Sequence, residues 1–292
     1  MRFDHYIATR FNIQHSGWQN TKSGNEVLTE NWLQNRFEIF EKYTLPAVLN
    51  QSSKNFKWCI FFDLNTSQVF KKKIQRLLEK HLFMSAIFIE NYDELVPEFI
   101  FFIKQNKTSA SYIITTRIDN DDIIHRDFVK TIQSLFHPRD LCVIDLRSGF
   151  QMSIDVEPAE VRNYSHPFNA FLSVIEPVNS CSTIYSRQHY HWKNEKTIVY
   201  EKKRLWIELS HDENYVNHRQ VKLKMSYSFE PKRFALSEQF QIDVFNAFIE
   251  NSRIDFMNMQ LFILDLFRKI KKIPFRARRW VLKKFKKYSR IE

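Results

Sequence analysis

Glycine is scarce in this sequence, and its scarcity excludes several kinds of functional site. Only Gly17, Gly24 and Gly149 occur among the 292 residues. The dinucleotide-binding G-x-G-x-x-G turn, the P-loop and the G-x-S-x-G nucleophile turn each need glycines at fixed offsets, so none of them can form. A bound phosphate would therefore have to be neutralised by side chains or by a metal ion.

Cysteine is also rare, and no run of residues is apolar enough for a membrane span. Cys59, Cys142 and Cys181 lie far apart, without C-x-x-C or Cys/His zinc spacing, which predicts free, buried thiols in a reducing compartment. No stretch approaches the roughly 18 apolar residues of a spanning helix, and the first residues lack the apolar run of a secretory signal. We expect a cytoplasmic protein, with any membrane contact peripheral and at the inner face of the cytoplasmic membrane.

Apolar and aromatic residues are plentiful, while positive charge is concentrated at one end. The chain is 43% hydrophobic and 15% aromatic, which is typical of a globular protein. Its formal net charge is +11. Residues 260–292 contain 12 Lys or Arg and two acids, a net charge of +10, whereas the other 259 residues carry 32 basic and 31 acidic residues. The sequence therefore predicts a nearly neutral body followed by a strongly cationic segment.

Strand-like and helix-like patterns alternate through the first half of the chain. The strand-like runs are 3–11, 56–62, 86–90, 111–118 and 141–145, and the helical patterns are 31–49, 67–82, 93–105 and 125–136. Strands apolar on both faces and separated by helices predict a parallel sheet covered on both sides. After about residue 147 the pattern becomes less regular, and we expect this part to supply an acceptor pocket.

Three carboxylates and an amide follow the fourth strand-like run, at 119–122 (D-N-D-D). One acid there could cap a helix, but several acids packed together repel one another unless a cation or several donors neutralise them. We favour a divalent ion over helix capping, because Mg²⁺ or Mn²⁺ is commonly held by a few carboxylates and by substrate oxygens. Asp63, Asp119 and Asp145 each lie near the end of a predicted strand, so they should point toward one crevice.

Several segments together resemble a known family. They are R-F-N (10–12), R-F-E-I-F-E-K-Y-T-L-P-A-V-L-N-Q-S (36–52), F-K-W-C-I-F-F-D (56–63), T-T-R-I-D-N-D-D (115–122), P-F-N-A-F-L-S-V-I-E (167–176) and W-I-E-L-S-H-D-E-N-Y-V-N (206–217). Their order resembles the GT-A fold glycosyltransferases, and more narrowly the bacterial rhamnosyltransferase family, over residues 3–220. The resemblance implies an α/β, Rossmann-like GT-A domain over 1–225, with a mixed, mainly parallel sheet flanked by helices. Residues 226–292 would then form a C-terminal helical, basic segment.

The resemblance also implies an activity. It is metal-dependent transfer of a sugar from a nucleotide-diphosphate donor to a hydroxyl of a glycan or lipid-linked acceptor, in bacterial surface polysaccharide synthesis. Asp119 and Asp121 would hold Mn²⁺ or Mg²⁺, and His211 occupies the place where the family supplies a further metal ligand.

Five residues are interpreted as substrate contacts. Arg10 and Asn12 would meet the nucleotide, and Asp119 would contact the substrate through the ion. Arg117 would contact the donor phosphates or sugar, or else pair with the neighbouring acids. Asp63 is open to two interpretations, a contact to the base or ribose and a helix N-cap. Arg36 we interpret as a solvated or salt-bridged residue of a helix.

An inverting transfer also needs a general base to take the proton of the acceptor hydroxyl. Glu176 closes the apolar segment F-L-S-V-I-E-P, where partial burial would raise the pKa of its carboxyl group. Asp122 and Asp145 are the competing candidates. A retaining enzyme would not need this base, and we expect an inverting one.

The cationic segment has more than one interpretation. Residues 275–290 have the spacing of a basic amphipathic helix, through Ala277, Val281, Phe285 and Tyr288. Such a helix suits an anionic membrane surface, reached through 260–292, or docking on the body of the protein. The alternative function is nucleic-acid or membrane binding through this tail alone. We expect no nucleic-acid partner, because the body is nearly neutral and carries no recognition motif.

A metal-dependent nucleotidyltransferase is a second enzymatic alternative, although such enzymes commonly use glycine-rich phosphate loops.

Overall fold

The computed structural model describes residues 3–13, 28–157, 159–211, 218–237, 240 and 243–271. Its first half alternates strands and helices, as the sequence predicts. The elements are β1 (Phe3–Arg10), α1 (Glu30–Ile39), α2 (Leu45–Leu49), β2 (Lys57–Asp63), α3 (Gln68–Lys80), β3 (Met84–Ile89), α4 (Leu95–Asn106) and β4 (Tyr112–Arg117).

The second half contains shorter strands and ends in a long helix. Its elements are β5 (Ile123–Ile124), α5 (Phe128–Ser134), β6 (Cys142–Leu146), β7 (Ser148–Ser153), β8 (Glu160–Ser165), β9 (Ser173–Pro177), β10 (Thr197–Tyr200), β11 (Trp206–Ser210) and α6 (Val244–Lys271). None of the described helices is long and apolar enough to cross a membrane.

The strands form two sheets. The larger has seven strands in the order β10-β6-β9-β4-β1-β2-β3, and only β9 runs antiparallel to its neighbours. The smaller has four strands in the order β5-β11-β7-β8. The predicted mixed, mainly parallel sheet is confirmed.

Helices cover both faces of the large sheet because its strands are apolar on both sides. Successive strand residues point to opposite faces, so Ile7 of β1 packs with Phe37 and Ile74 of α1 and α3. The next residue, Ala8, packs in a separate cluster with Phe99 of α4. All of these side chains are at most 3% exposed, and each large one contributes about 1.5–3 kcal/mol through burial.

A wide turn lies between α1 and α2, before Pro46. Residues Phe40–Thr44 form a π-helical turn, and Pro46 occupies the first turn of α2. Proline has no N–H and its ring clashes with the carbonyl four residues earlier, so an unbroken α-helix through this point would be strained. The turn brings the Thr44 hydroxyl within 3.0 Å of the Asn120 carbonyl oxygen, to which it donates a hydrogen bond.

Trp206 fixes the start of β11 against the rest of the body. Its ring stacks on Phe171 with centroids 4.7 Å apart, and its Nε1 donates to the Leu146 carbonyl at 2.6 Å. A Cβ atom on Gly149 would lie 2.2 Å from the Trp206 ring, so only glycine leaves room for it. β11 then pairs with β5 directly after the acid cluster, with Ile207 opposite Ile123.

The body continues past the predicted boundary at residue 225. Phe234 and Leu236 belong to the main hydrophobic core, and the Arg126 N–H donates to the Arg233 carbonyl at 2.7 Å. α6 follows, and the predicted amphipathic helix at 275–290 lies outside the described residues. The division into 1–225 and 226–292 stays a prediction.

Candidate active site

The acid cluster, Asp119 to Asp122, forms a turn at the carboxyl end of β4. The Asp122 N–H points to the Asp119 carbonyl at 3.4 Å, and the Ile118 N–H donates to the Ala8 carbonyl of β1 at 3.1 Å. The turn therefore lies beside the carboxyl end of β1, where Arg10 is the last strand residue. This is the edge of a mainly parallel sheet at which ligands generally bind.

Asp119 is held by two arginines from neighbouring strands. Arg117 donates to its carboxylate from Nη2 at 2.8 Å and from Nε at 3.2 Å, and Arg10 Nη2 lies 3.4 Å away. Burial by itself would raise the pKa of Asp119, but the charges of Arg117 and Arg10 outweigh it and hold the pKa below its usual value. Two interpretations of Arg117 were open, and the structure shows the second, in which its guanidinium pairs with the neighbouring acid Asp119.

Asp121 is paired with a helix residue and with a histidine. Its Oδ2 lies 3.0 Å from Nη1 of Arg36 and 3.1 Å from Nε2 of His211. Burial opposes its ionisation, but Arg36 and the hydrogen bond from His211 lower the pKa of Asp121 well below its usual value. The interpretation of Arg36 as salt-bridged is confirmed, and the structure adds that its partner is in the cluster. Arg36 also donates from Nη2 to the Asn120 side chain.

Asp122 differs from the other two acids. It is 3% exposed, and its Oδ1 has no hydrogen-bond partner among the described residues. Burial, followed by the charges of Asp121, Asp119 and Glu208, raises the pKa of Asp122 well above its usual value. The pairing of Ile207 with Ile123 brings the next residue of β11, Glu208, alongside Asp122.

Asn12 and Asp63 lie at the same edge but are occupied by contacts within the protein. Asn12 accepts from the Asp63 N–H at 3.2 Å and donates to the Thr66 hydroxyl at 3.0 Å. The Asp63 carboxylate accepts from the Asn65 N–H at 2.6 Å, which is a local turn contact. The N-cap of α3 is Ser67, so the helix-cap interpretation of Asp63 is wrong. Contacts of both residues to a nucleotide stay predictions.

The structure does not bring Glu176 to the cluster. β9 runs antiparallel to β4, and Glu176 lies opposite Ile113, four residues or about 13 Å before Arg117. Its carboxylate accepts from the N–H and hydroxyl of Ser182 at 2.9 and 2.6 Å, and from the Thr183 N–H at 2.9 Å. These contacts fix the loop that contains Ser182 and Thr183, at the opposite end of the strand from the acid cluster. We therefore correct the prediction of Glu176 as the general base.

Asp145 is fully buried near the carboxyl end of β6. Its Oδ2 accepts from Arg147 Nε at 2.8 Å and from the Phe168 N–H at 3.3 Å. It supports the loop after β8 rather than the turn of the acid cluster. Among the acids considered for the base, Asp122 is the one that lies in the cluster.

Two tyrosines that the sequence analysis did not identify hold the arginines in place. The Arg10 guanidinium lies 5.7 Å from the ring centroids of Tyr92 and Tyr185, and that of Arg117 lies 5.7 Å from Tyr185. The Tyr185 hydroxyl donates to the Ala8 carbonyl at 3.2 Å, and burial raises its pKa, so it stays neutral. Cation–π contacts of this kind orient a guanidinium without neutralising it.

Asp121, His211 and Asp119 are the residues that could hold a divalent ion shared with a substrate. Within the described ranges, no group of three or more His, Cys, Asp and Glu is arranged to hold a metal by itself. The Oδ2 atom of Asp121 and Nε2 of His211 nevertheless lie 3.1 Å apart, and Asp119, 26% exposed, precedes Asp121 by two residues in the same turn. Mg²⁺ and similar ions are often held by one or two carboxylates, with substrate phosphates and water completing the coordination.

The observed architecture is a mixed, mainly parallel sheet flanked by helices, with acids and arginines at its carboxyl edge. The chain belongs to the family described as "Putative rhamnosyl transferase", whose match covers residues 1–223. The family and the enzyme class implied by the sequence resemblance are thereby confirmed. No curated protein matches the chain significantly.

Several solved structures resemble the chain distantly. TarS from S. aureus, residues 1–349, is 13% identical with a TM-score of 0.40, covering 72% of this chain and 60% of that one. The same protein in complex with UDP-GlcNAc is 12% identical with a TM-score of 0.42, covering 75% and 62%. A 4-diphosphocytidyl-2C-methyl-D-erythritol synthase from Anaerococcus prevotii is 12% identical with a TM-score of 0.35, covering 68% and 89%. The chain thus spans about 60% of the length of TarS 1–349.

Proposed function

We propose that this glycosyltransferase transfers a sugar from a nucleotide-diphosphate donor to a hydroxyl of a glycan or lipid-linked acceptor, with the help of Mn²⁺ or Mg²⁺. The observation that carries the proposal is the pair of Asp121 and His211, beside Asp119 and two arginines, at the carboxyl edge of a mainly parallel sheet. Bacterial surface polysaccharide synthesis is the setting that the family resemblance supports.

In this proposal some residues of the site would hold the metal ion and others would bind the phosphates of the donor. Asp121 and His211 would hold the ion together with Asp119, and the ion would supply charge stabilisation to the departing diphosphate. Arg10 and Arg117 now neutralise Asp119, and a diphosphate at this edge offers them oxygens of the same charge. Both guanidiniums are already oriented by tyrosine rings, so little ordering is needed when they bind phosphate.

Asp122 is our candidate for the general base of an inverting transfer. Its buried Oδ1 is not engaged by another described group, whereas both oxygens of Glu176 accept hydrogen bonds. A carboxylate with a raised pKa is a stronger base once it is ionised, which suits proton removal from a hydroxyl. Glu208 lies alongside and supports the raised pKa.

Binding of nucleoside diphosphates with and without metal tests the proposal. A panel of UDP-, GDP-, CMP- and dTDP-linked sugars is screened by thermal shift with Mn²⁺, and the selected nucleotide is titrated by calorimetry in Mn²⁺ and in EDTA. We expect one nucleotide to stabilise the protein selectively, with affinity at least tenfold weaker in EDTA. Equal affinity in both buffers would assign the neutralisation to the arginines and overturn the metal-dependent part of the proposal.

Asp122→Asn tests the base and has a defined pH dependence. In the folded protein the pKa of Asp122 lies above its unfolded value of about 3.9, so the folded state keeps a proton that the unfolded state releases. Stability is therefore lost as pH rises from the unfolded to the folded pKa. Asp122→Asn removes this loss, and we expect it to melt above wild type by a margin that grows with pH in that window, with donor turnover abolished.

Glu176→Gln is the matched control for this variant. An amide at 176 places an NH₂ group against N–H donors from residues 182 and 183, so it should lower the melting temperature and leave turnover near wild type. An inactive but folded Glu176→Gln, together with an active Asp122→Asn, would reverse our assignment.

A further inference from the structure

The long helix α6 presents an apolar stripe to its surroundings. Eight exposed, large apolar residues in the described part of α6 lie within about 60° of the direction of Phe245, at 100° per residue. Their exposed fractions are Phe245 74%, Phe248 61%, Ile249 47%, Phe256 56%, Met259 51%, Ile263 41%, Leu266 39% and Phe267 58%. We call these eight residues the α6 stripe. A helix of a globular protein normally turns such a face toward its core.

The opposite face of α6 is the one that contacts the body. Ala247, Asn251 and Ile254 are buried, and they lie roughly 180–240° from Phe245 around the helix. The Asn251 side chain accepts from the Met225 N–H at 2.8 Å and donates to its carbonyl at 3.1 Å. The helix is thus fixed with its apolar stripe pointing away from the protein. Burial against the described part of the body does not account for the stripe.

The second half of the helix projects beyond the body. Every residue from 255 to 269 is exposed, a length of about 22 Å at 1.5 Å per residue. The charged residues of α6 before Arg268 are Glu250, Arg253, Asp255 and Asp265, and none of them lies within about 60° of Phe245. The stripe is therefore continuous and uninterrupted by charge.

Charge indicates what covers this stripe. The stripe leads along the sequence into residues 260–292, where 12 basic residues stand against two acids. An apolar helix face next to concentrated positive charge matches the boundary between acyl chains and anionic headgroups. Two copies joined through the same stripes would instead bring two such cationic segments together.

We propose that the α6 stripe docks on an anionic lipid surface and holds the enzyme there with its catalytic body outside the bilayer. This goes beyond the transfer proposed above, because it assigns the surface on which the enzyme is held. It rests on the exposure of the helix and not on the acid cluster. A lipid-linked acceptor would then be presented within reach of an enzyme that is already on the membrane.

Vesicle binding by two matched triple variants tests the inference. The stripe variant is Phe256→Ser with Ile263→Ser and Phe267→Ser. The control is Met257→Ser with Leu261→Ser and Leu264→Ser, three exposed apolar residues of the same helix that lie about 100–160° from Phe245. All six positions are in the projecting half, so neither variant should disturb the body.

Full-length protein is sedimented with vesicles of phosphatidylcholine alone and with added phosphatidylglycerol. We expect wild type and control to bind the anionic vesicles, less so at high salt, and the stripe variant to bind at least about tenfold more weakly. Equal losses in both triples, or equal binding to neutral and anionic vesicles, would overturn the proposal. So would a wild-type dimer, measured by light scattering, that the stripe variant dissociates while vesicle binding stays absent.

Nucleotide binding by the same variants separates this inference from the proposed transfer. The stripe variant should bind the nucleotide selected by the thermal-shift panel as wild type does, because the substituted residues lie outside the acid cluster. Loss of vesicle binding with intact nucleotide binding is the expected combination. Intact vesicle binding by the stripe variant contradicts the docking surface, whatever happens at the acid cluster.

Discussion

Asp121→Asn is expected to lower donor turnover about a thousandfold while the protein stays folded. Asparagine keeps the size of the side chain but loses the charge that faces Arg36 at 3.0 Å and His211 at 3.1 Å. That charge is what an ion between the protein and a diphosphate would require. Turnover is measured as release of nucleoside diphosphate from the donor selected by thermal shift.

Asp121→Asn should change the stability of the fold only slightly, because two effects of opposite sign accompany it. Arg36 loses an ion pair, which destabilises the fold, but it keeps the Asn120 side chain as a partner. The change also removes the neighbouring charge of Asp121, which helps raise the pKa of Asp122 and so opposes ionisation of that buried carboxyl group. We therefore expect the melting temperature to change by only a few degrees.

Asp127→Asn is the matched control for Asp121→Asn. Asp127 lies six residues further along the chain and accepts from the Ser52 hydroxyl at 2.9 Å, outside the acid cluster. This variant should retain turnover, since its carboxylate faces a different part of the molecule. Unchanged turnover in Asp121→Asn would contradict the role we assign to the cluster. A melting point lowered by more than about ten degrees would show that the cluster serves folding instead.

Five of the seven strands of the large sheet, β1, β2, β3, β4 and β6, could be predicted from sequence because their signals are local. Each buried strand is a continuous apolar run, and each helix between strands has its own periodicity. The cluster of Asp119, Asp121 and His211 also came from sequence, through the order of family-like segments. No local pattern could have paired Asp121 with a histidine 90 residues away.

Glu176 shows where reasoning from strand ends fails. It closes an apolar run just as Asp63 and Asp119 do, and its role as the base would require it to lie at the same edge. The carboxyl end of a strand reaches that edge only if the strand is parallel to its neighbours. β9 is antiparallel to both β4 and β6, so its carboxyl end lies at the far edge of the sheet. Strand direction depends on the tertiary arrangement, and a single apolar run does not reveal it.

The partner of Arg36 was not predicted, and Glu208 and Tyr185 were missed, for a related reason. Each lies in an ordinary context, a helix face, a short strand and a loop, and each reaches the cluster only through a long-range contact. Arg36 meets Asp121 across 85 positions, and the Tyr185 hydroxyl meets Ala8 across 177. A charged residue on an amphipathic helix is normally solvated or salt-bridged on the surface, so the sequence alone favoured that interpretation of Arg36 over a place in the site.

Gly149→Ala should cost about 3 kcal/mol or more of folding free energy, although it adds only one methyl group. The added Cβ would lie 2.2–2.5 Å from three atoms of the Trp206 ring, far inside van der Waals contact. The ring cannot move away easily, because it stacks on Phe171 and donates to the Leu146 carbonyl. The backbone of β7 or β11 must shift instead.

Urea denaturation of four proteins measures this effect and its cause: wild type, Gly149→Ala, Trp206→Ala and the double variant. If the clash with the indole is the cause, the alanine at 149 should cost far less in the Trp206→Ala background, where the ring is gone. Ser148→Ala, at the neighbouring position of β7, should cost less than about 1 kcal/mol. Equal costs of Gly149→Ala in both backgrounds would place its effect in the backbone rather than in the indole contact.

Because β7 pairs with β11 through Glu208 and Ser210, Gly149→Ala should also displace His211 from Asp121 and lower donor turnover under conditions where the variant remains folded.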